Sequence, residues 1–191
     1  MPNFLTIIRI IFASLIALIL IFFDSKFAYL ISFILFCLGG MTDFFDGWLA
    51  RRKNQISDLG RMLDPIADKI LVISTLVILM SNNVIESYNI IAALIIIYRE
   101  IFISGLREFL GDKSSVIKVT NLAKLKTTMQ FIAILSFLGS QIINDYFMYT
   151  HVINIFSSFI CTFLIWMTVF MSLLTGFDYI KTVSYTHLRA H

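Results

Sequence analysis

The sequence predicts an all-α integral membrane protein with six transmembrane helices, and three observations carry that prediction. Of its 191 residues, 59% are hydrophobic and 14% charged, where a soluble domain carries roughly 25% charged residues. The apolar residues collect into six runs, each near the ~20 residues needed to cross a bilayer core. The connections between the runs alternate between segments bearing several Lys and Arg and segments with almost none.

The first run covers roughly residues 5–23. It is long for a signal-peptide core, and no small-residue cleavage site precedes the next run, so it is expected to remain as a helix. The second and third runs, roughly 27–49 and 62–81, flank a segment with Arg51, Arg52, Lys53 and Arg61. The fourth, roughly 88–110, follows SNNVIESYN. The fifth, roughly 124–145, follows a connection with Lys113, Lys118 and Lys124, and the sixth, roughly 152–177, follows INDYFMYTH. Lys and Arg concentrate in cytoplasmic loops. The second-to-third and fourth-to-fifth connections are therefore expected in the cytoplasm, the other three outside, and both termini on the cytoplasmic side. A single membrane domain over 1–183 accounts for this pattern. Residues 184–191, SYTHLRAH, share nothing with it and read as a foreign tail.

Four aspartates interrupt the apolar pattern: Asp43, Asp46, Asp64 and Asp68. A carboxylate at membrane depth is expensive unless paired, hydrated or bound to a cation. Asp43 and Asp46 stand three apart and Asp64 and Asp68 four apart, so on helices each pair shares a face. Two facing helices would converge four oxygen donors, a set that suits Mg²⁺ or Mn²⁺ and so phosphate chemistry. Gly47 and Ala50 beside the first pair, and Gly60 before the second, would let a ligand approach the backbone closely. The alternative is structural ion pairing with Arg51, Arg52, Lys53, Arg61 and Lys69, which needs neither the small residues nor the spacing. Asp58 reads as a solvated turn or cap residue. Cys37 and Cys161 lie in apolar runs without metal-ligand spacing and read as small buried hydrophobes. His151, His187 and His191 lie away from the cytoplasmic connections. Nothing in the charge pattern resembles a nucleic-acid footprint.

Written as a pattern, the run is DxxDGxxAR, eight residues, then GxxxDxxxD. It resembles the signature of the CDP-alcohol phosphatidyltransferase family at every defined position. The resemblance implies that family's fold, a homodimer, and transfer of a phosphatidyl group from CDP-diacylglycerol to an alcohol with release of CMP. It implies Asp43, Asp46 and Asp64 as ligands in a site of two Mg²⁺ or Mn²⁺ ions. Asp68 would be the general base for the acceptor hydroxyl and would also touch the second ion. Gly47, Ala50, Arg51 and Gly60 would hold the CDP-lipid.

The fourth run carries Arg99 and Arg107, eight apart and so about 80° apart around a helix. Arginine within a span seldom faces lipid, so both are expected to lean into one cavity. LAKLKTTMQ brings Lys124 and Lys126 to the start of the fifth run. Two arginines and a lysine suit an acceptor that itself carries phosphate. With PNFLTIIRI at the start, these segments resemble the bacterial members of the family that use glycerol 3-phosphate, over about residues 2–175. That likeness makes Arg99, Arg107 and Lys124 acceptor-phosphate candidates and implies a bacterial inner membrane with the site facing the cytoplasm. The plainer alternatives are salt bridges, Arg99 with Glu100 or Asp178 and Arg107 with Glu108, and topological anchoring for Lys124 and Lys126. Asn3, Thr6 and Arg9 are headgroup candidates, with helix initiation for Asn3 and topology for Arg9 as alternatives. Two further functions compete: a sibling enzyme taking phosphatidylglycerol as acceptor, and a divalent-cation transporter. The apolar ISFILFCL and ILVISTLVILM beside the aspartates show no path for a transported ion.

Overall fold

The protein is described by a computed structural model that covers the backbone of residues 2–53, 58–110, 121–146 and 151–188. Within those stretches the side chains of 2–5, 43–53, 58–62, 109–110, 121, 123, 144–146, 151–152, 178–180 and 182–188 lie outside the described residues. Six α-helices and no strand occur among the described residues. They are α1 (Pro2–Phe22), α2 (Lys26–Lys53), α3 (Asp58–Ser81), α4 (Tyr88–Leu110), α5 (Asn121–Tyr146) and α6 (His151–Leu188). Each falls on one of the six apolar runs. α2 and α3 continue past their apolar stretches, so the whole aspartate motif outside residues 54–57 is helical. α6 continues through Phe177 into the first residues of the tail.

Tyr88–Glu108 and Ile153–Phe177 are long and apolar enough to cross a membrane, and Thr6–Phe22 and Lys26–Thr42 are shorter apolar stretches. The interior is largely apolar, yet many large apolar side chains lie outside it and several polar ones within. Phe27 is 74% exposed and Phe22 and Phe177 nearly as much, while Thr6, Arg9, Ser32, Thr75, Thr168 and Ser172 are fully enclosed. Apolar side chains outside and polar ones inside suit hydrocarbon as solvent, where a polar group facing outward would find no partner. Small residues also lie in the interior: Ala13, Ala67, Ala92 and Ala93 are all buried, as expected where helices approach closely.

The chain divides into two compact units. The first comprises Met1–Glu86 and Ile134–Cys161. Here α1 packs on α3 and α2. Ser25 starts α2 as an N-cap, its hydroxyl accepting from the Ala28 amide at 3.3 Å. α3 ends in a Schellman turn: the Val84 amide reaches the Leu79 carbonyl at 2.9 Å and the Asn83 amide the Met80 carbonyl at 3.1 Å. Asn83 takes the left-handed conformation that this turn requires, φ 56°. The turn sends Asn82 back across the unit, where its amide donates to the Leu20 carbonyl at 2.8 Å and lies 3.5 Å from the Tyr29 hydroxyl. The end of α1, the start of α2 and the end of α3 thus meet at one level.

From that level α2 and α3 run antiparallel, and Gly39 of α2 packs against Leu71 of α3. A Cβ on Gly39 would lie 2.8 Å from a methyl of the buried Leu71. One helical turn further, α2 reaches Asp43 and α3 runs back to Asp68; another turn gives Asp46 and Asp64. Extended by helical geometry from Gly39 and Leu71, this register would set Asp43 and Asp46 of α2 near the heights of Asp68 and Asp64 of α3.

The second unit comprises Ser87–Ala133 and Thr162–His191. Asn89 joins α4 to α6 by donating to the Thr162 hydroxyl at 3.0 Å and accepting from the Trp166 indole at 3.2 Å. Farther along the same helix pair Arg99 makes the next polar connection.

Candidate active site

Asp64 and Asp68 lie one turn apart on α3 and both face α1. The Thr6 hydroxyl donates to Asp64 Oδ1. Three residues on, Arg9 Nη1 donates to Asp68 Oδ1 at 2.5 Å. Because the step from Thr6 to Arg9 matches that from Asp64 to Asp68, α1 and α3 run parallel here, as they do at Leu20 and Asn82. Arg9 is fully enclosed while the Asp68 side chain remains 41% exposed, so this carboxylate is bonded on its buried side and partly exposed. Pro65 stands between the two aspartates within α3 and withholds the amide that would close the turn back to residue 61.

Asp43, Asp46, Gly47, Ala50 and Arg51 lie on α2 and Gly60 on α3, and their side chains are outside the described residues. No group of three or more His, Cys, Asp or Glu positioned to hold a metal occurs among the described residues, a set that includes only one of the two aspartate pairs. What is described fits a hard cation. The donors are carboxylate oxygens, and the Thr6 hydroxyl bonded to Asp64 is the kind of outer partner that orients a ligating carboxylate.

The acceptor-phosphate candidates lie in the second unit. Arg99 is half-buried between α4 and α6. Its Nε donates to the Ser172 carbonyl at 3.2 Å and its Nη2 to the Thr175 hydroxyl at 2.9 Å, and its Nη1 meets Glu100 at 3.4 Å. Thr175 passes the hydrogen bond on to the Met171 carbonyl at 2.9 Å. Arg99 also lines a groove of about 460 Å³ whose walls include Tyr98, Phe102, Leu173 and Phe177. Arg107 and Lys124 are exposed, and Arg107 is not part of that lining. Lys126 is instead the buried lysine of α5, ion-paired with Glu100. Asp178, the other partner considered for Arg99, has its side chain outside the described residues.

A family model described as CDP-alcohol phosphatidyltransferase matches residues 1–174. The chain belongs to the CDP-alcohol phosphatidyltransferase family. Among similar members, a protein of Cereibacter sphaeroides named CDP-diacylglycerol–glycerol-3-phosphate 3-phosphatidyltransferase is 47% identical over 140 residues, covering 73% of this chain and 63% of that relative. Proteins of the same name from Rickettsia bellii and Rickettsia typhi are 37% and 38% identical over 183 residues, covering 95% of this chain and 93% and 95% of theirs.

Two features of this CDP-alcohol phosphatidyltransferase were weakly signalled by sequence. Thr6 and Arg9 stood out as polar residues in the first run, but their aspartate partners are 58 and 59 positions away. In the sequence Glu100 offers itself as a partner to the adjacent Arg99. That it also takes Lys126 depends on how α4 and α5 pack, which spacing along either helix does not encode.

Proposed function

We propose that the chain transfers the phosphatidyl group of CDP-diacylglycerol to glycerol 3-phosphate, giving phosphatidylglycerol phosphate and CMP. The observation that carries this reading is the alignment of 95% of the chain with relatives of that name. In the reaction the acceptor hydroxyl oxygen bonds to the β-phosphorus, the bond from phosphorus to the CMP oxygen breaks, and the hydroxyl proton passes to Asp68. Arg99, Arg107 and Lys124 hold the acceptor's phosphate, where arginine's planar fork matches phosphate geometry. Gly47, Ala50 and Gly60 leave room for the cytidine diphosphate, and Arg51 donates to it. Asp43, Asp46, Asp64 and Asp68 would hold two Mg²⁺ or Mn²⁺ ions, which when bound neutralise charge on the phosphoryl oxygens and the leaving group.

The same reading takes all six helices of residues 1–183 as membrane spans of one catalytic domain, with residues 184–191 foreign to it. The site and both termini face the cytoplasm of a bacterial inner membrane, and two copies form a dimer. The test is CMP release by the detergent-purified protein given CDP-diacylglycerol and Mg²⁺ or Mn²⁺, with glycerol 3-phosphate, glycerol, serine, inositol and phosphatidylglycerol offered separately. Release with glycerol 3-phosphate alone, lost on chelation and slowed roughly 100- to 10,000-fold but still measurable in Asp68→Asn, is expected. Release with phosphatidylglycerol instead would assign the sibling activity. No release with any acceptor would rule out the transferase reading.

A further inference from the structure

We infer that Arg9 is a positioning residue for Asp68: it anchors one carboxylate oxygen from the buried side so that the rest of the group is presented to the acceptor. The inference rests on the transferase reading above. Three observations lead to it.

The first is where the guanidinium sits. A topological cation keeps its charged head among headgroups and water by extending its aliphatic stem. Arg9 does the reverse: it is fully enclosed and is among the largest completely buried side chains of the protein. Its head points into the helix packing and meets Asp68 at 2.5 Å.

The second is energetic. A buried ion pair rarely stabilises a fold more than apolar side chains of similar volume would. α1 already buries Ala13, Ile16 and Leu20 along one stripe, and α3 buries Ala67, Leu71 and Leu79. Adhesion between α1 and α3 therefore does not call for an arginine.

The third is geometric. The carboxylate of Asp68 is 41% exposed while its anchor is wholly enclosed. Loss of this anchor would widen the range of side-chain torsions open to Asp68. A charge-assisted bond to one oxygen selects among those rotamers and faces the exposed part of the group away from α1. A general base misplaced by about 1 Å loses on the order of 100-fold in rate, so this anchor governs turnover without touching substrate.

The experiment measures CMP release by wild type, Arg9→Gln, Arg9→Lys, Asp68→Asn and the double variant Arg9→Gln/Asp68→Asn, each saturated in turn with CDP-diacylglycerol and glycerol 3-phosphate. Arg9→Gln is expected to lower kcat about 100-fold with both KM values within about threefold. Arg9→Lys, which keeps a cation, should recover about tenfold of that loss. In the Asp68→Asn background Arg9→Gln should cost nothing further, because a residue acting only through Asp68 has no effect once the base is gone. A purely structural arginine would give multiplicative losses in the double variant, and that result overturns the inference, as would a kcat for Arg9→Gln within threefold of wild type. Should Arg9→Gln fail to fold, the same cycle built on Arg9→Lys carries the test. An inactive wild type would instead sink the transferase reading, and it is distinguished because it appears before any variant is compared.

Discussion

Lys126 of α5 and Glu100 of α4 form an ion pair inside the second unit, and the same Glu100 oxygen also accepts from Arg99 at 3.4 Å. One carboxylate thus serves two cations, and both side chains of the Lys126 pair are mostly enclosed, at 6% and 15% exposure. Removing one partner of a buried pair leaves an uncompensated charge, at a cost of about 3 kcal/mol. Glu100→Gln is therefore expected to lower the thermal midpoint in detergent by roughly 10 °C. Lys126→Met, which leaves Glu100 to Arg99, should lower it far less. Equal stability of Glu100→Gln and wild type would mean that the cluster is hydrated rather than enclosed.

Thr6→Val removes the hydroxyl that donates to Asp64 and keeps the side chain's shape. If Asp64 ligates a divalent ion, loss of its outer partner should weaken metal binding roughly 10- to 100-fold. The concentration of Mg²⁺ or Mn²⁺ giving half-maximal CMP release should then rise by that factor, with the maximal rate at saturating metal nearly restored. A lowered maximal rate at unchanged metal dependence would remove Asp64 from the metal site.

The contrast between these residues shows what the sequence disclosed. Apolar run length located six helices, each of which falls on one of the runs. The aspartate spacing of three and four implied shared helix faces, and α3 presents Asp64 and Asp68 together toward α1. Arg9 was less legible: a lone arginine near the start of an apolar helix has the same local signature whether it anchors topology or turns inward to Asp68. Lys124 and Lys126 were similarly equivalent on paper. They lie two residues apart and so on different faces of α5, and only packing against α4 selects Lys126 for burial.

Gly39 tests the register that brings α2 and α3 together. An alanine there would ask one flexible methyl of Leu71 to move, so Gly39→Ala should retain near-normal turnover. Gly39→Leu cannot be absorbed that way; overpacking of this kind costs about 1–3 kcal/mol and forces the helices apart one turn from Asp43 and Asp68. Its kcat should fall at least about tenfold, together with its thermal midpoint. Full activity of the leucine variant would show that the approach at Gly39 does not set the height of the aspartates.

Arg99 provides the sharpest test of acceptor recognition. Its guanidinium is fixed in three directions, by the Ser172 carbonyl, the Thr175 hydroxyl and Glu100. Lysine is a point charge and cannot reproduce that planar arrangement. If Arg99 grips the acceptor's phosphate, Arg99→Gln should raise KM for glycerol 3-phosphate about 100-fold, the loss of a charge-assisted contact of roughly 2–3 kcal/mol. KM for CDP-diacylglycerol should stay within about threefold. Arg99→Lys should be nearly as impaired, and Thr175→Val, which loosens the fork without removing it, should raise the same KM by a smaller factor. Lys124→Ala, at an exposed position, should give the smallest rise. Steady-state kinetics with each substrate varied separately reads all four. Should Arg99→Gln instead lower the thermal midpoint and leave the acceptor KM unchanged, Arg99 would be a strut between α4 and α6, and the phosphate grip would fall to Arg107 and Lys124.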